Sequence, residues 1–523
     1  MALVISALYT GQCLWFIGTQ SLIYDEPAHI IAGLDAWRHD RFEQWNDQPP
    51  LARLLLTAPL LPGGDRWQIE KLGRIRPSPE QLAWFTRPVN VALGLALAWL
   101  LWTTARRMFS EGGALLSLAL FAFSPPLIAH FSLATVDGTA TLLLFATAVT
   151  LVQWRANPSW TETMWLGLVL GGLLISKFSA PPMVALALGV VTMHRSAGAR
   201  RLHRVAKAGA ALVVALTVVW TLYFFHVGPI TFRNGSMAGP YAPPRTVILP
   251  IARPLDLTFT LPAPEYIAAF GSVAQHSVKG QWSFFLGDVK TAGGWRNYFP
   301  VVAAVKWPVM TWAIVVLTLA LLATRTIPWV SDLRVLMAFP LMFFALATLS
   351  NLDIGDRYIL PVYPFLLLFC AGVWDAVKRW RFLGPLLVAM VVLHAADACR
   401  YAPDYLSYFT PFVSADRSYE LLTDSNLDWG QGLLALRAYE QSHPGERISL
   451  AYFGGVDPGQ YGIRAQPLRE SDRRTGTIVV SATHLSGQYL DDPNAYRWLL
   501  RFPRKTILNH TLHVFEVPDG AVH

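Results

Sequence analysis

ALVISALYTGQCLWFIGTQSL, residues 2–22, carries no charged side chain, and it ends abruptly in IYDEPAH at 23–29. A helix needs about 20 mostly apolar residues to cross about 30 Å of hydrocarbon. The run therefore predicts one transmembrane helix, stopped where Asp25 and Glu26 bring charge. No basic stretch precedes it and no small-residue cleavage site follows it, so the helix is expected to be retained.

Ten further apolar runs lie outward from this one, at 88–105, 113–130, 138–154, 162–177, 180–194, 208–226, 303–323, 333–350, 357–375 and 383–398. The expected fold is an α-helical polytopic membrane protein with about eleven transmembrane helices. Composition agrees: of 523 residues, 53% are hydrophobic and 15% charged, against about 25% charged in soluble chains. The net charge of +8 does not mark a nucleic-acid binder. Its basic residues cluster in short loops, with no basic groove interleaved with stacking aromatics.

Eleven spans place Arg106, Arg107, Arg155, Arg195, Arg200, Arg201, Arg204, Lys207, Arg325, Arg334, Lys378, Arg379 and Arg381 on one side. The positive-inside rule makes that side cytoplasmic, together with the N-terminus. The expected location is the plasma, or cell inner, membrane. Residues 1–398 then form a transmembrane domain with long outer loops at 23–87 and 227–302. Residues 399–523 read as a small extracytoplasmic α/β domain, with strand-like runs at 448–453, 477–481 and 512–517 and a helical pattern at 430–441. Cys13, Cys370 and Cys399 are too scattered for a disulfide framework or a cysteine metal site.

Ionisable groups at the membrane edge are costly and point to function. Asp25 and Glu26 come first: a carboxylate here can act as general base toward a hydroxyl. It can equally favour the positive start of the next helix. Glu26 and Asp25 lie three and four residues before His29, a spacing that leaves a divalent metal ion open, with Glu26 and His29 as candidate ligands. Gln48 precedes Pro49-Pro50, a plausible helix start. Asp137 is either a helix cap or a second site carboxylate. Lys177 and Arg357 sit on the outer side against the charge bias. They suit an anionic lipid phosphate, Arg as a two-point donor and Lys as a point charge, unless they simply snorkel. Trp282, Trp295 and Tyr298 suit sugar faces, or an interfacial aromatic belt.

Taken in order, YDEPAHIIAG (24–33), QPPL (48–51), ATVD (134–137), SKFSA (176–180), WRNYFPVVAAVKWP (295–308), DRYILPVYP (356–364) and DSNLDWGQ (424–431) resemble the dolichyl-phosphate-mannose protein mannosyltransferase-like family. That family has the GT-C membrane fold and includes bacterial aminoarabinose lipid A transferases. The resemblance covers almost the whole chain. It implies Asp25 as catalytic base, Glu26 as its partner, Asp137 as the acid after the third helix, and Lys177 and Arg357 at the donor phosphate. His29, Gln48, Trp282, Trp295 and Tyr298 are expected at the substrate. Many relatives have His where this chain has Gln48, and an amide does not titrate near neutral pH.

The expected activity is transfer of a sugar from a polyprenyl-phosphate donor to an acceptor hydroxyl or phosphate on the outer face, by single inverting displacement. The partners are membrane lipid, the lipid-linked donor, and a glycan, lipid or protein acceptor. An inactive scaffold displaying residues 399–523 and a polyprenyl-lipid transporter are the competing classes. No inverted repeat or midplane charge cluster favours transport.

Overall fold

The structure, a computed structural model, describes residues 1–42, 47–70, 74–192, 199–233, 236–238, 257–328 and 330–521. Asn46, Arg195 and residues 239–256 of the second long loop lie outside them.

Among the described residues six helices are individually long and apolar enough to cross a membrane: Ala2–Thr19, Pro79–Met108, Asp137–Ala156, Leu202–Leu222, Ser331–Leu349 and Leu360–Lys378. Two bent pairs raise the number to as many as eight, Glu111–Ala122 with Pro125–Phe131 at 63° and Tyr298–Lys306 with Val309–Ala323 at 106°. Both bends have a local cause. Proline has no N–H and pushes the residue before it out of the helical region. Ser124 and Trp307, each followed by proline, are extended with ψ of 111° and 135°. The other three expected runs fall on the shorter helices Trp160–Leu174, Ala180–Thr192 and Leu383–Cys399.

Two glycines explain how one helix pair packs so closely. A Cβ at Gly167 or Gly171 would stand 2.8 Å from the carbonyl oxygen of Ala211 or Ala215, respectively. Helices Trp160–Leu174 and Ala199–Leu222 thus meet along a small-residue seam, where close backbone approach gains dispersion contact that the hydrophobic effect cannot supply inside lipid.

The C-terminal region holds a five-stranded sheet in the order Arg504–Leu508, Leu512–Val517, Gly476–Ser481, Ile448–Ala451, Gln466–Pro467. Gly476–Ser481 is its centre, antiparallel to Leu512–Val517 and parallel to Ile448–Ala451. Val479, Val480 and Val514 are buried there. The expected strands all fall in this sheet, and the helical pattern becomes Leu433–Ser442.

This region is stitched to the end of the first helix. The Ser21 N–H donates to the Gln431 carbonyl at 3.1 Å and the Tyr24 N–H to the Trp429 carbonyl at 2.9 Å. The Leu22 N–H donates to the Tyr461 hydroxyl at 2.9 Å. Residues 21–24 and 429–431 are therefore fixed together, and the segment after the first helix is placed against the tail.

Candidate active site

Where the transmembrane helices meet the tail there is a cavity of about 920 Å³, lined among others by Asp25, His29, Gln48, Asp137, Lys177, Trp282, Arg357, Asp424, Trp429 and Tyr489. Pockets that bind small ligands commonly measure about 300–1,000 Å³.

Each charged side chain reaches this cavity for a local reason. Asp25 is the N-cap of helix Glu26–His39, held where the chain leaves the first span. Asp137 is the first residue of Asp137–Ala156, where the helix dipole favours an anion. Lys177 lies in the turn after Trp160–Leu174. Arg357 lies in the one-turn helix Asp356–Tyr358, which follows Gly355 at φ 105°. That φ favours glycine, and a Cβ here would also meet the Ser425 hydroxyl, so glycine lets this loop close on the 424–426 segment. The Asp356 N–H donates to Asn426 Oδ1 at 3.0 Å across the same contact.

The charges are paired. Arg357 Nη1 lies 2.8 Å from Asp25 Oδ2, and its guanidinium stacks 4.1 Å over the Trp429 ring. Lys177 Nζ lies 2.6 Å from Asp137 Oδ1 and 4.8 Å over the Tyr358 ring. Two buried side-chain oxygens in this lining, Asp137 Oδ2 and Gln48 Oε1, have no hydrogen-bond partner among the described residues. Such orphans call for an explanation, and one is that a ligand supplies the donors.

His29 is buried, with Arg53 Nε 3.4 Å from its Nδ1. Burial first, and the Arg53 charge second, lower its pKa, so the neutral imidazole is favoured.

Three of the expected site residues, Glu26 as the partner of Asp25 and Trp295 and Tyr298 at the substrate, do not line this cavity. Glu26 is fully buried and does not line the cavity. Its Oε1 accepts from Arg87 Nε at 2.8 Å and the Ala134 N–H at 2.7 Å; its Oε2 accepts from Arg87 Nη2 and the Ile23 N–H, both at 2.8 Å. Consecutive helical residues point about 100° apart, so Asp25 faces the cavity while Glu26 turns into the protein. Trp295 and Tyr298 also miss the lining. Trp295 packs on Phe285 with Lys290 over its ring, and the buried Tyr298 hydroxyl accepts from Asn426 Nδ2 at 2.9 Å.

The metal site left open by the 25–29 spacing is not supported. Among the described residues no three His, Cys, Asp or Glu side chains group so as to hold a metal ion. The donors around Glu26 already satisfy both of its oxygens.

The C-terminal contribution was not assigned from sequence. Asp424, Trp429, Tyr452, Phe453, His484 and Tyr489 all line the cavity. The DSNLDWGQ segment was the available signal, since it places two acids and a tryptophan in a tail otherwise read as a separate domain.

The family model described as dolichyl-phosphate-mannose-protein mannosyltransferase matches residues 80–224. No curated protein matches the chain. Among solved structures, ArnT from Cupriavidus metallidurans bound to undecaprenyl phosphate has a TM-score of 0.50 at 12% identity, covering 100% of this chain and 98% of that one. The same protein in the apo state also has a TM-score of 0.50 at 12% identity, covering 98% and 97%. The fold is therefore shared along essentially the full length of both chains. The chain thus has a GT-C-like membrane fold, and within it residues 80–224 resemble the dolichyl-phosphate-mannose-protein mannosyltransferases.

Proposed function

We propose that this protein transfers a sugar from a polyprenyl-phosphate donor to an acceptor hydroxyl, with Asp25 as general base and Lys177 and Arg357 at the donor phosphate. One observation carries the reading: two carboxylate–cation pairs, Asp25–Arg357 and Asp137–Lys177, open on one cavity between the apolar helices and the C-terminal region. The fold likeness to a protein solved with undecaprenyl phosphate supports a lipid-phosphate donor.

The acceptor hydroxyl attacks C1 of the sugar and gives its proton to Asp25. The C1–O bond to the lipid phosphate breaks with inversion, and the phosphate leaves with the electron pair. Phosphate leaves readily, so the main demand is on stabilising its charge, and preorganised cations in a site shielded from water do this well. Arriving phosphate competes with Asp25 for Arg357. Donor binding then loosens the Asp25–Arg357 pair and frees the carboxylate to accept a proton. The unpartnered Asp137 Oδ2 and Gln48 Oε1 can accept hydrogen bonds from hydroxyls of the bound sugar.

The cavity end of the helices is read as extracytoplasmic. Helix Asp137–Ala156 begins at the cavity and carries Arg155 in its last turn. Its 20 residues span about 30 Å at about 1.5 Å per residue. On this reading the chain is a multi-pass protein of the plasma membrane with its basic loops in the cytoplasm.

The test is transfer from radiolabelled polyprenyl-phosphate sugar by the purified chain in lipid nanodiscs. Asp25→Asn should lower the rate by about 10²–10⁴. An unchanged rate removes Asp25 as the base. No sugar release by the wild type favours the scaffold or transporter classes, neither of which cleaves the donor.

A further inference from the structure

The donor chemistry leaves part of the cavity unused. Tyr24, Phe453 and Tyr489 stack in series, with centroid separations of 5.2 Å at both steps and interplanar angles of 4° and 5°. Trp282 closes on Tyr489 at 6.1 Å. Beside this stack, Asp424 Oδ2 accepts from the Tyr489 hydroxyl at 2.7 Å and Oδ1 from the Ser425 N–H at 2.6 Å.

The backbone there is held in an unusual state. Asp424 has φ 55° and Tyr489 φ 63°. A non-glycine residue in the left-handed region carries strain that persists only where its surroundings over-determine it, and such residues gather at functional sites. Here the Asp424 N–H donates to the Thr483 hydroxyl at 3.1 Å, and the Tyr489 bond fixes the other end. Two strained residues, bonded to each other, both line the cavity.

We propose that Asp424, Tyr489 and the Tyr24–Phe453 stack form an acceptor subsite for a neutral carbohydrate. The proposal rests on the glycosyl-transfer reading of the same cavity and names the class of its acceptor. A carboxylate has about four lone-pair positions, and Asp424 uses two within the protein, leaving two for hydroxyl donors. Tyr24 and Tyr489 remain 38% and 36% exposed, so both offer aromatic surface to a ligand. The faintly positive C–H face of a sugar ring complements the negative face of an aromatic ring.

An anionic acceptor fits poorly. It would meet the charge of Asp25 and of Asp424, and the cations that could offset this are engaged by Asp25 and Asp137 and serve the donor. Burial raises the Asp424 pKa, the Arg357 charge opposes that shift, and Asp25 adds to it. The group nonetheless has an acceptor or a donor role open to it toward a hydroxyl.

The full chain in nanodiscs is tested as wild type, Asp424→Asn and Tyr489→Phe. The probes are an array of neutral oligosaccharides, the same array phosphorylated, Ser/Thr-rich peptides, and undecaprenyl phosphate read by tryptophan fluorescence. We expect retention of neutral oligosaccharides by the wild type. Each substitution should weaken that retention by about tenfold or more, Asp424→Asn by removing the charge from the hydrogen bonds it accepts and Tyr489→Phe by releasing the Asp424 carboxylate from the bond that positions it. Affinity of Tyr489→Phe for undecaprenyl phosphate should stay within about twofold, which also shows that this variant folds, and Asp424→Asn should still bind that lipid. Preference for phosphorylated glycans or peptides, no retention of any neutral oligosaccharide, or undiminished retention in both variants overturns the proposal. So does equal loss of both ligands in both variants, which makes the pair structural. Retained oligosaccharide without undecaprenyl phosphate binding in the wild type brings down the donor reading and leaves the carbohydrate subsite standing.

Discussion

Glu26 and Arg87 form a two-point ion pair at 2.8 Å with both side chains fully buried. Arg87 also donates to the Gln20 and Ser21 carbonyls at 2.8 and 2.7 Å, so the pair ties the helix Pro79–Met108 to the end of the first span. Removing one partner of a buried pair leaves an uncompensated charge and commonly costs about 3–5 kcal/mol. Glu26→Gln and Arg87→Met should each sharply lower the thermal unfolding midpoint of the protein in detergent. A catalytic Glu26 would instead give a stable, inactive Glu26→Gln protein.

The two cations of the cavity should separate by geometry. Arg357 presents a planar fork that Lys cannot reproduce. Arg357→Lys should weaken undecaprenyl phosphate binding by about tenfold, corresponding to 1.4 kcal/mol. Lys177→Gln should weaken it too, and added salt should weaken it further in the wild type. Titration of undecaprenyl phosphate against tryptophan fluorescence reads all three, and affinity unaltered in both variants would remove these residues from the donor site.

Trp282 and Tyr298 make a paired comparison, since only the first lines the cavity. Tyr298→Phe removes the acceptor of the Asn426 Nδ2–H bond and should cost about 1 kcal/mol of stability, with transfer unchanged. Trp282→Ala should lower transfer several-fold while the unfolding midpoint moves little. The reverse pattern would mean that sugar contacts Tyr298 through a rearranged cavity.

These residues also mark what was legible beforehand. Asp25, His29, Gln48, Asp137, Lys177, Trp282 and Arg357 come from segments far apart in sequence, yet all reach one cavity. Their shared signal was polarity at the ends of apolar runs, where it is costly and so informative. Glu26 gave the same signal but served packing, because helical geometry turns neighbours in different directions. Trp295 and Tyr298 were aromatic among polar residues, and that composition does not say which way a ring points. Strand periodicity in the tail carries no trace of what its sheet packs against. Its Asp424 and Tyr489 meet through a fold contact 65 residues apart in sequence.

Asp428 should give the protein a pH-dependent stability of defined sign. Burial pushes its carboxyl up to about 6, although Ser481, the Thr483 N–H at 3.1 Å and the Gly430 N–H at 3.2 Å all donate to it and pull the other way. A carboxyl whose pKa is higher folded than unfolded binds its proton more tightly in the native state. Its contribution is present in full below the unfolded value near 3.9 and is lost as pH rises through about 6. A shift of about two units corresponds to about 3 kcal/mol at most. Unfolding midpoints of wild type and Asp428→Asn, compared from pH 4 to pH 8, should therefore diverge, the wild type losing stability relative to the variant as pH rises from about 4 to about 6. Parallel curves, or a wild type that gains on the variant over that range, would mean that the native state holds Asp428 ionised and that the three donors outweigh burial.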